Sequence, residues 1–385
     1  MMNTTSKHSP LGSLFPEEGH ILLTGQGRQF LERIGVETVR NVVTSVLMGE
    51  NVRALTEPLT RQRLVQISGA LLLMFQKGWR EVDDFSAALP LLAVQQLEDK
   101  RLYSRTETWL AQWVLGLTDK GVQNILRGRT SSIADYLADF QRALDRAVQQ
   151  CKQDFGDLRM TLAIGDGATG QSIELQWKDV ALLMTAIGSQ TLTIRGSDKS
   201  MFGKIFERLI LGSVLTVLGF EHVNKAHNRK NSGVFWLSDS TANRESDATL
   251  LLRPGKVIRF DIGFIGPGNS EISKDKLSRY AREFEREGKS LASRTIVIVD
   301  RLPKTGKTQV AAQAAGADII QMSMQYWPRE LAERLAVQAG SAYPIQSVTD
   351  SEMKRFLDAK MQEIPLLDFV NNSQVGLDQE SSSNS

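Results

Sequence analysis

The sequence predicts an α/β protein: a mixed sheet flanked by helices in the C-terminal half, preceded by a mostly helical N-terminal region. Three observations predict it. Apolar residues recur three and four apart from about residue 25 to 155, short strand-like runs begin after Gly156, and helical segments alternate with those runs to about residue 340.

Residues 1–20 read as a flexible arm. The helical N-terminal region, 21–155, contains RQFLERIGVETVRNVVTSVL, LTRQRLVQISGALLLMFQKGW, SRTETWLAQWVLGLTDKGVQNIL and SIADYLADFQRALDRAVQQC, each with helical apolar spacing. Ser131 or Ser132 before IADYLADF, with Asp135 following, has the form of a helix N-terminus.

A second domain is placed at 156–370. It opens with the short strands MTLAI (160–164) and SIELQW (172–177), a helix KDVALLMTAI, and a separate long helix SDKSMFGKIFERLILGSVLTVLGF. FEHVNK (220–225) and GVFWLS (233–238) read as strands. DATLLL (247–252) and KVIRFDIGFI (256–265) flank Arg253-Pro254-Gly255 and form a hairpin. A helix over 270–287 follows, with Asn269 as its N-cap. Then come the apolar strand TIVIVD (295–300), a helix over 308–315, the strand DIIQMSM (318–324) and the amphipathic helix PRELAERLAVQA. Residues 371–385, NNSQVGLDQESSSNS, read as a disordered polar tail.

Composition sets bounds on function. With 41% hydrophobic and 23% charged residues, the chain has the make-up of a globular protein with a core. Its longest near-continuous apolar run, LILGSVLTVLGF, is too short for a membrane span, and the first residues lack the pattern of a secretory signal. The one cysteine, Cys151, excludes an internal disulfide and a thiolate zinc cluster, and its polar helical context suits an inert thiol. A cytoplasmic location is expected. The net charge of +2 neither requires nor excludes a nucleic-acid partner, because acidic metal ligands and basic phosphate contacts cancel in the total.

The chemistry concentrates in RESDATLLLRPGKVIRFDIGFIGPGNSEISKDKLSRY. Asp247 opens one hairpin strand and Asp261 lies within the other, so a tight turn brings both carboxylates to one end of the sheet. Alternation puts Arg259, Asp261 and Gly263 on one face and Ile258, Phe260 and Ile262 on the other. Phosphodiester hydrolysis with Mg²⁺ asks for such a site, since the ion takes hard oxygen ligands, keeps several waters and requires only two or three carboxylates.

This layout resembles the PD-(D/E)XK nuclease superfamily. Within it, ESDATLLL, RFDIGFIGPGN and SEISKDKLSRY look most like the type II restriction endonucleases of the CfrBI family. The helix carrying GKIFERLILGSVL corresponds to the superfamily's leading helix, whose glutamate often joins the site; here that residue is Glu207. The resemblance spans roughly residues 198–340, and its sharp motifs cover about 244–280. Two positions depart from the pattern: Ser246 stands where proline precedes the first aspartate, and Gly263 where the lysine should be. The resemblance therefore implies a cation from the following helix, Lys276 first and Lys274 second. Asp247, Asp261 and Glu207 are the implied metal ligands, and Glu271 a further member of the site.

Other signals are weaker. PKTGKT (303–308) imitates a phosphate-binding loop, but Arg301 stands where that loop needs its first glycine, and Pro303 lacks an N–H; no nucleotide cofactor is expected. Lys304 and Lys307 suit DNA phosphate or solvent. GDGATGQS (165–172) lacks dinucleotide spacing, and His222 and His227 are misplaced for a zinc pair. Lys225, Arg229, Lys230, Arg195 and Lys199 are the candidate DNA contacts, with Lys204, Arg127 and Arg129 as further basic positions.

The expectation is an Mg²⁺-dependent type II restriction endonuclease acting on double-stranded DNA as a homodimer, since a palindrome is cut symmetrically by a two-fold dimer. The resemblance implies the target CCWWGG and 5′-phosphate ends. The helical N-terminal region would serve dimerisation, DNA contact or both. A structure-specific repair or recombination nuclease and an inactive DNA-binding module are the alternatives.

Overall fold

The computed structural model describes residues 10–126, 132–164, 172–224, 230, 232–238, 246–263, 293–300 and 317–370. The chain divides into two compact units, one holding 1–25, 60–199 and 375–385, the other 26–59 and 200–374. Two of the divisions, at 59/60 and 199/200, fall inside helices, whereas the expected boundary at Gly156 follows a change in local character. A switch from helix to strand patterning marks new backbone geometry, whereas a unit is defined by which segments pack together.

The first unit is helical. Residues 10–20, expected as an arm, form α1 (Pro10–Leu14) and the start of α2 (Glu17–Thr24), because Leu11, Leu14 and Phe15 are buried. The helix α7 (Arg105–Val114) begins at a capping box, in which Ser104 accepts from Glu107 N–H and Glu107 accepts from Ser104 N–H. It buries Trp109 and Trp113, stacked 6.2 Å apart. The Ser132 N-cap and Asp135 form the expected box at the start of α9 (Ile133–Phe155). Its reciprocal hydrogen bonds hold the Asp135 carboxyl below its ordinary range. Strands β1 (Met160–Leu162) and β2 (Ile173–Leu175) pair antiparallel as a separate two-stranded sheet, in this unit and not in the larger one.

Helix α10 runs unbroken from Trp177 to Val217, where two helices were expected. Gly188 and the threonines after it weaken local helix preference. Packing overrides that preference: Gln190 and Ile194 are fully buried, Ser68 Oγ donates to Gln190 Oε1 at 3.2 Å, and Trp113 Nε1 donates to Thr193 Oγ1 at 2.9 Å.

The second unit contains a six-stranded mixed sheet in the order β3-β4-β5-β6-β7-β8. Its strands are β3 (Glu221–His222), β4 (Val234–Leu237), β5 (Ala248–Arg253), β6 (Lys256–Gly263), β7 (Ser293–Val299) and β8 (Ala317–Gln321). β4, β5 and β6 form an antiparallel meander; β7 runs parallel to β6, β8 to β7, and β3 to β4. The predicted hairpin is β5–β6. Gly255 has φ 73°, the left-handed value that the second central residue of a Pro-Gly turn requires, and a register shift between Leu251 and Arg253 fits the strands to the turn. The expected helices over 270–287 and 308–315 lie outside the described residues.

One face of the sheet is apolar. Phe235, Ala248, Leu250, Ile258, Phe260, Ile262, Ile298 and Ile320 are fully buried. Helix α11 (Trp327–Ala339) ends at Gly340 in a left-handed C-cap. Helix α12 (Asp350–Gln362) begins at a capping box of Thr349 and Glu352, a signal present in the sequence but not used above. Among the described residues, no helix is long and apolar enough to cross a membrane.

Candidate active site

The opposite face of the sheet positions the acids. Cross-strand partners in a ladder share a face. Ala248 pairs with Phe260 on the apolar side, and Thr249 with Arg259 on the other. The ladder ends at Ala248 and Phe260; continued by one residue, its register puts Asp247 beside Asp261, on the face of Thr249 and Arg259. Directly opposed residues in such a pair have Cα atoms about 4.5–5.5 Å apart. Both aspartates are half-buried, as are Thr249 and Arg259, while their sequence neighbours Ala248, Phe260 and Ile262 are fully buried.

Asp247 is held by its surroundings. Its Oδ2 accepts from Ile262 N–H at 2.8 Å, and its carbonyl accepts from Ser238 N–H at 3.1 Å. Ser238 Oγ donates to the carbonyl of Ser246, the residue that replaces the motif's proline. Arg208 on α10 donates to the Ser238 carbonyl and, at 2.7 Å, to that of Phe369. A chain of hydrogen bonds thus links the long helix, the end of β4 and the start of β5.

Gly263 is buried at the end of β6, paired with Val299. It offers no ammonium to the acidic pair, as the sequence indicated. Glu207 lies half-buried on α10, between Phe206 and the fully buried Leu209. Among the described residues, no three or more histidine, cysteine or acidic side chains gather closely enough to hold a metal. Asp247 and Asp261 are neighbours across the hairpin through the Ile262 N–H bond to Asp247 Oδ2. Two opposed carboxylates suit Mg²⁺, a hard ion that retains much of its water shell.

The remaining candidates fall elsewhere. Lys230 is exposed and ion-paired with Glu221. Arg195 is exposed on the part of α10 that belongs to the first unit; Lys199 is on the same helix, and Lys204 is exposed further along it. Lys276, Lys274, Glu271, Asn269, Lys225, Arg229, His227, Arg127, Arg129, Lys304 and Lys307 lie outside the described residues. Sequence reasoning noted that Arg259 shares the face of Asp261 but gave it no role. Counting by twos from Asp261 was enough to place it.

The structure gives a mixed α/β fold, with a central sheet, flanking helices and a helical N-terminal region, and Asp247 and Asp261 at neighbouring strands of one hairpin. Comparison with known proteins narrows this. The model of the CfrBI restriction endonuclease family matches residues 36–307. The type II restriction enzyme CfrBI of Citrobacter freundii is 37% identical over 313 residues, covering 81% of this chain and 85% of that protein. The chain belongs to the CfrBI family of type II restriction endonucleases. No solved structure matches it.

Proposed function

We propose that the protein cuts both strands of a short DNA site by Mg²⁺-assisted hydrolysis, leaving 5′-phosphate ends. The observation that carries this is the hydrogen bond from Ile262 N–H to Asp247 Oδ2, which sets Asp247 beside Asp261 across the hairpin, on the face away from Phe260 and Ile262. The two carboxylates would hold the ion beside the scissile phosphate. When bound, Mg²⁺ supplies charge to the phosphate and lowers the pKa of the attacking water. The Ile262 N–H keeps the Asp247 carboxylate aimed across the strands. Each chain carries one such pair, so cutting two strands symmetrically calls for two copies, and a homodimer is part of the proposal. By its family, the target is CCWWGG.

The test is incubation of the purified protein with mapped plasmid DNA, with and without Mg²⁺, followed by sequencing of the ends. Discrete Mg²⁺-dependent bands with 5′-phosphates at CCWWGG support the reading; a smear points to a structure-specific nuclease. One observation favours a second reading: Gly263 removes the motif's lysine, as an inactive DNA-binding module would. Retained binding of the CCWWGG duplex without cleavage in any divalent ion would select it.

A further inference from the structure

The geometry points to Arg259 as the cation that contacts the scissile phosphate, in the role left empty by Gly263; this rests on the nuclease reading above. Arg259 pairs with Thr249 and lies on the same face as Asp247 and Asp261. It precedes Asp261 by two residues, so its Cα is about 6.5 Å from that of Asp261 along the strand. A long side chain rooted there spans that distance. The lysine of the family pattern would stand the same interval away on the other side, where Gly263 is.

The other described cations on the sheet strands are placed differently. Lys256 and Arg294 lie on the opposite face, where Lys256 Nζ donates to the Gln338 carbonyl at 2.9 Å and Arg294 pairs with Asp318 at 2.8 Å. Arg253 is exposed at the hairpin turn. Arg259 alone among them combines the acidic face with half-burial one strand repeat from the acids.

The chemistry differs from that of a lysine. A guanidinium is a permanent cation with a planar fork of donors that matches two phosphate oxygens, and it cannot serve as a base. In the hydrolysis, the water oxygen bonds to phosphorus while the P–O3′ bond breaks with its electron pair on O3′. The water gives a proton to solvent and O3′ takes one up. Arg259 donates hydrogen bonds to the non-bridging oxygens throughout and exchanges no proton.

The experiment compares wild type, Arg259→Ala, Arg259→Lys, Lys276→Ala and Asp261→Asn, each checked for folding by circular dichroism melting. Cleavage of mapped plasmid DNA in Mg²⁺ is one readout. The other is binding of a short CCWWGG duplex in EDTA as salt is varied. The expected result is a loss of about 10²–10³-fold in kcat for Arg259→Ala, with partial recovery in Arg259→Lys. The slope of log affinity against log salt should become shallower by about 0.9, one phosphate contact. Full activity of Arg259→Ala beside an inactive Lys276→Ala would overturn the inference and return the role to the helix lysine. So would lost activity with an unchanged salt slope and no rescue by lysine, the mark of a merely structural arginine. If wild type cuts and Asp261→Asn does not, the nuclease reading stands whatever Arg259 does; if wild type never cuts, that reading fails first.

Discussion

Asp247 Oδ2 accepts a 2.8 Å hydrogen bond from the backbone N–H of Ile262, the residue directly after Asp261. The bond crosses the hairpin from one acidic residue to the peptide beside the other. It gives the first carboxylate a structural duty besides any metal, and the two duties separate by mutation. Asparagine keeps an acceptor oxygen and loses the charge, whereas alanine loses both.

Asp247→Asn should therefore stay folded with nearly wild-type stability yet lose about 10³-fold or more in Mg²⁺-dependent cleavage. Asp247→Ala should lose cleavage and also about 1–3 kcal/mol of stability, because the hydrogen bond to the N–H of the fully buried Ile262 is lost. Urea unfolding beside plasmid cleavage reads both. Equal destabilisation by the two variants would show that the Ile262 bond contributes little.

Much of the hairpin that carries the candidate acids was legible in the sequence because strands obey a period of two and a Pro-Gly turn fixes the count. Asp247, Asp261 and the hairpin follow from those rules, and the two apolar strands β7 and β8 announce themselves by composition. What was not legible depends on packing at a distance. The unbroken α10 is held by Trp113 and Ser68, more than 100 residues earlier in the second case, where Ser68 meets Gln190. The burial of Leu11 and Phe15 likewise answers to helices that no local pattern around residue 10 reveals.

A second prediction concerns acid stability. His222 lies between Phe235 and Phe369, with ring centroids 5.2 and 5.1 Å away. Burial pushes its pKa below the ordinary 6.5; Arg208 adds to that, and Asp368 opposes it. The folded state then binds fewer protons than the unfolded state just below pH 6.5, so stability rises with pH there. The contribution is complete above the unfolded value and is lost as pH falls through it toward the folded one. Unfolding free energies of wild type and His222→Phe, measured from pH 7.5 to 5 (roughly the span over which histidine titrates), should differ in slope, with the wild type steeper. Parallel curves would show that His222 titrates as it does when unfolded.

Two glycines of α10 should respond with opposite signs. A Cβ on Gly188 meets nothing within 4 Å, so Gly188→Ala should gain up to about 1 kcal/mol from helix preference. A Cβ on Gly212 would come 2.6 Å from the ring of Phe369, which is fully buried, so the ring or the helix has to shift. Gly212→Ala should cost about 1–3 kcal/mol despite the same gain in preference. Denaturant midpoints check both, and a stabilised Gly212→Ala would mean that Phe369 has room to shift.

The fourth prediction turns on Arg63, fully buried in the first unit. Its Nε donates at 2.9 Å to the carbonyl of Leu22, in the last turn of α2. The last four carbonyls of a helix have no partner within it, so a side chain that reaches one meets a requirement that buried backbone cannot leave unmet. Gly25 N–H already serves Ile21 on the same turn, at 3.0 Å. Arg63→Met keeps most of the apolar stem and removes the donor; it should cost about 1–3 kcal/mol. Arg63→Ala also opens a cavity and should cost more than Arg63→Met, by about 2 kcal/mol or so. The ordering wild type, methionine, alanine in urea midpoint is the check. A methionine variant as stable as wild type would show that the Leu22 carbonyl finds another donor and that the arginine serves α2 by its stem alone.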